Sequence, residues 1–242
     1  MKQVLVFLII SLSIPSFLTQ DLNFKGALFA LNQTGPLAKK WNYNLFVSTT
    51  LDAFSQEVNA VIYPASDLQL YLQPSLIYVH TSNLNFSGSY TYQRNNPLRS
   101  NFSNEHRLWQ QVIFSLPFTI GKLTNRLRYE ERFIQNRITG FYPFSSRLRY
   151  QLCYNRPLQG KSLDVNEFYL NMYNECYFSL NGTKNATYSE NWTYAGIGYD
   201  LGNMGRIELG YLYQIYVRNQ AKDLRFLNLI QLMWVTNFKR NN

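Results

Sequence analysis

The residues of this 242-residue chain best suited to chemistry are charged side chains recurring at alternate positions. Glu105 and Arg107 stand two apart. Arg126, Arg128, Glu130 and Arg132 follow, then Arg147 and Arg149, with Glu175 and Glu208 further on. On an extended strand, residues i and i+2 share a face. Each group therefore stacks its charges on one side. Six guanidinium groups and four carboxylates in an enclosed space would form bidentate, hydrogen-bonded bridges. The competing reading is a pore whose positive lining favours anions. Catalysis by a carboxylate pair needs one protonated partner, and arginine neighbours make each of these glutamates a poor general acid.

Other catalytic constellations are thin. Ser–His chemistry needs a histidine on the working face. His106 is out of phase with Glu105 and Arg107, and His80 falls in a predicted turn. Cys153 shares the phase of Arg147 and Arg149, whereas Cys176 is out of phase with Glu175. A disulfide between them would need a bulge, so two isolated thiols are expected. No metal-ligand spacing or phosphate loop occurs, and no cofactor is implied.

The elements that must carry these residues are strands. Arg126, Arg128, Glu130 and Arg132 oppose Leu127, Tyr129 and Phe133. Arg147, Arg149 and Gln151 oppose Leu148, Tyr150 and Leu152, and Glu208 and Gln214 oppose Ile207, Leu209, Tyr211 and Tyr213. These runs far exceed the ~5–6 residues of an average soluble strand and suit the ~9–11 residues of a tilted strand crossing a bilayer. Charge on one face and Leu, Ile, Tyr and Phe on the other predict an all-β, antiparallel, up-and-down transmembrane barrel.

Length and composition agree. Met1-Lys2-Gln3 precedes an apolar stretch over residues 4–14, broken by Pro15, which reads as a signal peptide over 1–20. Removing 20 residues leaves 222, enough for about eleven strands at ~20 residues per strand and connection. The expectation is one barrel over 21–242 and no second domain. Counting back from Phe238 gives ten strands beginning near Lys40. Residues 24–32 and 57–63 also look strand-like, so an even total is ten or twelve. Short turns at 80–83, 119–122 and 201–205 alternate with longer connections at 94–105, 136–143, 181–190 and 218–223. The connection at 158–166 is long for the short-turn side. Trp41, Tyr43, Tyr78, Tyr142, Tyr188, Tyr216 and Trp234 fall near strand ends, as interfacial belts require. Charged residues are 15% and aromatic residues 17%. That excludes a disordered chain, and two cysteines exclude a disulfide scaffold. The net charge of +9 is spread over strands and interleaved with Glu, which argues against nucleic acid. Asn-x-Ser/Thr triplets at Asn32, Asn85, Asn101, Asn181, Asn185 and Asn191 are read as incidental.

One family shares this pattern. The pieces are Glu105-His106-Arg107, the run Asn125-Arg126-Leu127-Arg128-Tyr129-Glu130-Glu131-Arg132, Arg147-Leu148-Arg149-Tyr150, Asn174-Glu175 and Gly196-Ile197-Gly198-Tyr199. Their order and spacing resemble the uncharacterised outer-membrane barrel family catalogued as domain of unknown function 2490. The likeness spans nearly the whole mature chain. Two departures stand out: Asn191-Trp192 replaces a family-like Asn-Arg pair, and Lys239-Arg240-Asn241-Asn242 follow Phe238. The resemblance implies location and fold, and no activity.

The reading is therefore a barrel of the Gram-negative outer membrane, with an Arg/Glu lumen acting as a structural plug or a narrow channel or binding site. Its expected partners are outer-membrane lipids, lipopolysaccharide and the barrel-assembly machinery. The alternatives are an outer-membrane enzyme modifying lipid or lipopolysaccharide, and a soluble secreted β-barrel binder.

Overall fold

The computed structural model describes residues 21–58, 60–182 and 186–238. Residues 1–20, read from sequence as a signal peptide, Asn185 and the residues after Phe238 lie outside the described residues. Among the described residues thirteen strands follow one another: β1 Leu22–Ala38, β2 Trp41–Asp52, β3 Gln56–Val58, β4 Val61–Tyr63, β5 Ser66–Val79, β6 Leu84–Asn95, β7 Ser103–Pro117, β8 Lys122–Ile134, β9 Phe144–Pro157, β10 Phe168–Asn181, β11 Tyr188–Asp200, β12 Arg206–Val217 and β13 Leu224–Asn237. Between β11 and β12 runs a single 3-10 turn, Gly202–Met204.

Eleven of the strands close into one barrel, in the order β1-β13-β12-β11-β10-β9-β8-β7-β6-β5-β2. Ten are those counted back from Phe238, and β1 contains the strand-like stretch at 24–32. Residues 57–63 do not join the wall; β3 and β4 pair only with each other, Val58 opposite Val61. Three-residue arms are too short to span the wall. The even total expected from sequence is thereby corrected to eleven. An odd count makes the closing pair parallel. β1 and β13 run side by side from Leu22↔Arg225 to Thr34↔Asn237, while every other neighbouring pair in the wall is antiparallel.

Connections sort by end. One end carries the turns at 39–40, 80–83, 118–121 and 201–205 together with the longer 158–167 segment; the other carries 53–65, 96–102, 135–143, 182–187 and 218–223. The β3–β4 hairpin stands at the long-connection end. There Val58 and Tyr63 pack against a buried cluster formed by Leu22, Phe24, Leu28, Tyr194, Leu212, Leu227 and Leu229.

Period-2 alternation sets which side chains enter the barrel. Glu105, Arg107 and Trp109 on β7 are buried, while Leu108, Val112, Phe114 and Leu116 on its other face are exposed. Leu70, Leu72 and Leu76 on β5, and Ile230, Leu232 and Trp234 on β13, are exposed in the same way. Two lumenal tyrosines lie directly on the wall because glycines face them. A Cβ at Gly198 would stand 2.2 Å from Tyr169 Cζ, and one at Gly196 would stand 2.2 Å from the Tyr194 hydroxyl oxygen.

Candidate functional site: the charged lumen

Four antiparallel strands, β7 to β10, place the predicted charges on one inner wall. Their register sets Trp109 opposite Glu130, Arg107 opposite Arg132, Glu130 opposite Arg147 and Gln151 opposite Glu175. Three carboxylates are almost wholly withdrawn from solvent: Glu130 is 0% exposed, Glu175 1% and Glu105 2%.

Glu130 sits at the centre. It accepts Nε of Arg147 at 2.5 Å and Nη1 of Arg149 at 2.6 Å, with Nη1 of Arg128 at 3.6 Å. Arg149 reaches on to Glu175 through Nε at 2.8 Å and Nη2 at 3.0 Å, a bidentate contact. Glu175 also takes Nη2 of Arg126 at 2.7 Å. Glu105 accepts Nε of Arg107 at 2.5 Å and both Nε and Nη2 of Arg132, at 2.6 and 3.1 Å. All six predicted arginines and three of the four predicted glutamates thus form ion pairs in this wall.

Glu208 departs from that expectation. It lies inside the barrel but outside the arginine network, accepting the Tyr169 hydroxyl at 2.6 Å and Asn171 Nδ2 at 2.9 Å. Register is the reason: Glu208 faces Gly198, which itself pairs with Tyr169. Arg206, on the same strand, bonds Asp200 Oδ2 at 2.8 Å instead.

Several partners escaped the sequence reading. Glu190 on β11 accepts Arg147 Nη1 at 2.7 Å. Arg128 donates to Gln111 Oε1 at 2.9 and 2.7 Å, and to Gln73 Oε1 on β5 at 3.3 Å. Arg107 donates to Gln93 on β6. Aromatic faces support the cations: Arg128 lies 3.9 Å from the Trp109 ring centroid, and Arg147 and Arg149 lie 4.8 and 4.4 Å from that of Tyr177. The glutamines and Glu190 carried a signal, since each shares the inward phase of its strand. The network therefore bridges from β5 to β11. With Glu190 included, six arginines meet four glutamates, leaving two positive charges in excess.

The opposite inner wall carries an apolar cluster: Leu22, Phe24 and Leu28 on β1, Leu212 on β12, and Leu227 and Leu229 on β13, with Tyr194. The lumen is thus charged on one side and carries a leucine-rich cluster on the other. Leu212 lies on the phase of Glu208 and Gln214, so the polar face itself carries leucine. Tyr216 is a correction. Placed in the interfacial belt from sequence, it packs against this inner cluster because it keeps the phase of Gln214, to which its hydroxyl donates at 2.9 Å.

The remaining expectations fall on the outside. His106 faces outward, its Nδ1 2.5 Å from the Tyr90 hydroxyl, with the Tyr92 and Tyr142 rings beside it. His80 occupies the 80–83 turn, between Tyr78 and Phe86. Trp41 and Tyr78 pair at 5.1 Å by the short-turn end, and Trp234 Nε1 donates to the Met204 carbonyl there at 2.8 Å. Cys153 and Cys176 are free thiols. Cys153 Sγ points to Asn171 Oδ1 at 3.3 Å, on the inner phase, and Cys176 Sγ to Asn174 Oδ1 at 3.5 Å, on the outer.

The family profile of proteins of unknown function catalogued as DUF2490 matches residues 25–225, almost the whole described barrel. The chain belongs to the DUF2490 family. No characterised protein and no solved structure matches it. For this DUF2490 member, the matched span runs from β1 to the first residues of β13 and takes in every residue of the charged wall.

Proposed function

We propose that this protein is an integral outer-membrane barrel whose lumen is closed by the Arg/Glu network, so that it resides in the membrane as a plugged barrel and works through its rims and outer surface. The observation that carries this is inverted amphipathy. Leu70, Leu72, Leu76, Leu108, Val112, Leu127, Leu209, Ile230 and Leu232 look outward and are exposed, while Glu105, Arg107, Arg128, Glu130, Arg147, Arg149 and Glu175 are buried within. An apolar surface encircling a barrel far exceeds the few hundred Å² of contiguous apolar patch that a soluble monomer tolerates. A bilayer removes that cost, because the closed wall leaves no unpaired backbone edge in lipid. The short-turn end would then face the periplasm and the long connections the exterior.

Closure follows from the bonding. Each glutamate of the wall is held by arginines, and Arg128 spans from β8 to Gln73 on β5. An ion entering would have to break paired, desolvated groups, which costs several kcal/mol per pair separated. Envelope fractionation, heat-modifiable gel mobility and planar-bilayer conductance test the proposal. Extraction requiring detergent, a folded form that runs apart from the boiled one, and no steady conductance are the expected results. A protein released without detergent would refute the membrane reading.

A narrow anion path is the second reading, favoured by the two excess positive charges and by Arg128, whose hydrogen bonds go to the neutral Gln111 and Gln73. Steady anion-selective steps, shifted toward cations by Arg128→Glu, would establish it in place of the plug.

A further inference from the structure

On the short-turn side of the charged wall, hydrogen-bond donors go unused. Arg128 crosses the lumen from β8 to Gln73 on β5 at 3.3 Å, which fixes how these two strands face each other. One inward position nearer the short turns, on the same two strands, stand Arg126 and Ser75. Arg126 Nε and Ser75 Oγ are both buried and have no hydrogen-bond partner among the described residues. Arg126 engages Glu175 Oε1 through Nη2 at 2.7 Å. On β7, between β5 and β8, the Gln111 amide gives its oxygen to Arg128 and leaves Nε2 a long 3.5 Å from Ser87 Oγ. Buried donors without partners are costly, so orphans gathered in one inner layer point to an occupant that accepts from them.

Charge narrows the choice. In the adjoining part of the network Arg126, Arg128, Arg147 and Arg149 meet Glu130, Glu175 and Glu190, four cations to three anions. Arg128 has the smallest share: the Glu130 carboxylate is 3.6 Å away, and its hydrogen bonds go to amides. Elsewhere in the short-turn half Arg206 holds Asp200 at 2.8 Å, while Lys122 and Glu208 add one inward charge of each sign. One positive charge is therefore unmatched, and it lies beside the unused donors. Although Arg126 points inward, its side chain is 19% exposed, so a small solute can touch it from inside the barrel.

We propose that this layer binds one small monovalent anion of chloride size, held by Arg126 and the Ser75 hydroxyl, with Gln111 Nε2 and the Arg128 guanidinium beside it. A single negative charge matches the single surplus. A dianion would face the Glu175 carboxylate already seated on Arg126, and like charge there is unfavourable. The bound ion completes the plug by pairing its last buried cation, so the site rests on the plugged reading given above.

Urea unfolding of the detergent-purified barrel, with sodium chloride exchanged for sodium gluconate at constant ionic strength, tests it. Gluconate carries the same charge on a far bulkier molecule. The expected result is an unfolding midpoint that rises with chloride and saturates, as binding to the folded state alone requires. Arg126→Gln should raise the half-saturating chloride concentration about tenfold, the worth of one charge-assisted contact. Ser75→Ala, which leaves every ion pair intact, should raise it roughly fivefold. Heat-modifiable mobility verifies that each variant folds, and Ser75→Ala serves alone if Arg126→Gln does not. A midpoint that moves alike in chloride and gluconate would overturn the proposal, as would a chloride response unchanged in Ser75→Ala. Conductance tests the plug and does not enter this readout, so the two can fail separately.

Discussion

The two inner walls of this barrel use the same backbone and opposite chemistry. On β7 to β10, Glu105, Glu130 and Glu175 are buried against arginines. Across the lumen, on β1, β12 and β13, Leu22, Phe24, Leu212, Leu227 and Leu229 are as deeply buried against one another. Apolar packing is tolerant of who touches whom, because dispersion and burial are non-directional. The charged wall is directional: each guanidinium fork needs a carboxylate or amide at a defined place. A one-residue slip of β8 would carry Arg128 and Glu130 to the outside. The charged wall therefore enforces register, and the leucine wall supplies burial that a slip on the other side would not replace.

Substitutions can break that contrast. The largest effect is expected from Glu130→Ala, which leaves Arg147 and Arg149 buried without their central acceptor and should cost about 3–5 kcal/mol. Urea unfolding in detergent micelles, followed by tryptophan fluorescence, would measure it. Replacing Glu130, Arg147 and Arg149 together with Met and Leu should recover only part of that loss, because Glu190 then loses Arg147 and Glu175 loses its bidentate contact with Arg149; full recovery would show that those outer contacts contribute little. On the leucine wall, Leu229→Ala should cost roughly 3 kcal/mol, with no rescue available from a partner. Arg149→Lys comes next, at about 1.5–3 kcal/mol, because an ammonium cannot reproduce the bidentate contact to Glu175 and still reach Glu130. Gly198→Ala should cost on the order of 1–3 kcal/mol by pushing the Tyr169 ring off the wall, visible as a lower unfolding midpoint. His106→Phe, on the outer face, should stay within about 0.5 kcal/mol. A large loss there would reveal a role for the Tyr90 contact.

The site was legible in the sequence to the extent that it depends on phase. Arg126, Arg128, Glu130 and Arg132 could be assigned to one face from spacing alone, and Cys153 and Cys176 to opposite faces. What phase could not reveal was partnership. Glu208 shares the inward face, yet its neighbours across the strands are Gly198 and Met233, and Tyr169 reaches it over the glycine, so no arginine meets it. Glu190 shares the inward phase of β11, but phase alone could not show that it would accept Arg147 from two strands away. Tyr216 has the composition of a belt residue, and its inward phase with Gln214 decides otherwise.

The sequence by itself determined the strands and the sorting of their faces, because side-chain direction in a strand repeats every two residues and needs no information from elsewhere in the chain. It also determined that charge would be concentrated within and apolar side chains without. Tertiary structure alone decided the closure at eleven strands, the parallel seam of β1 with β13, the exclusion of residues 56–63 from the wall, and the pairing of each arginine with its glutamate. Those depend on register summed around the whole barrel, down to Leu22 meeting Arg225 from the other end of the chain. No local period encodes a contact of that reach.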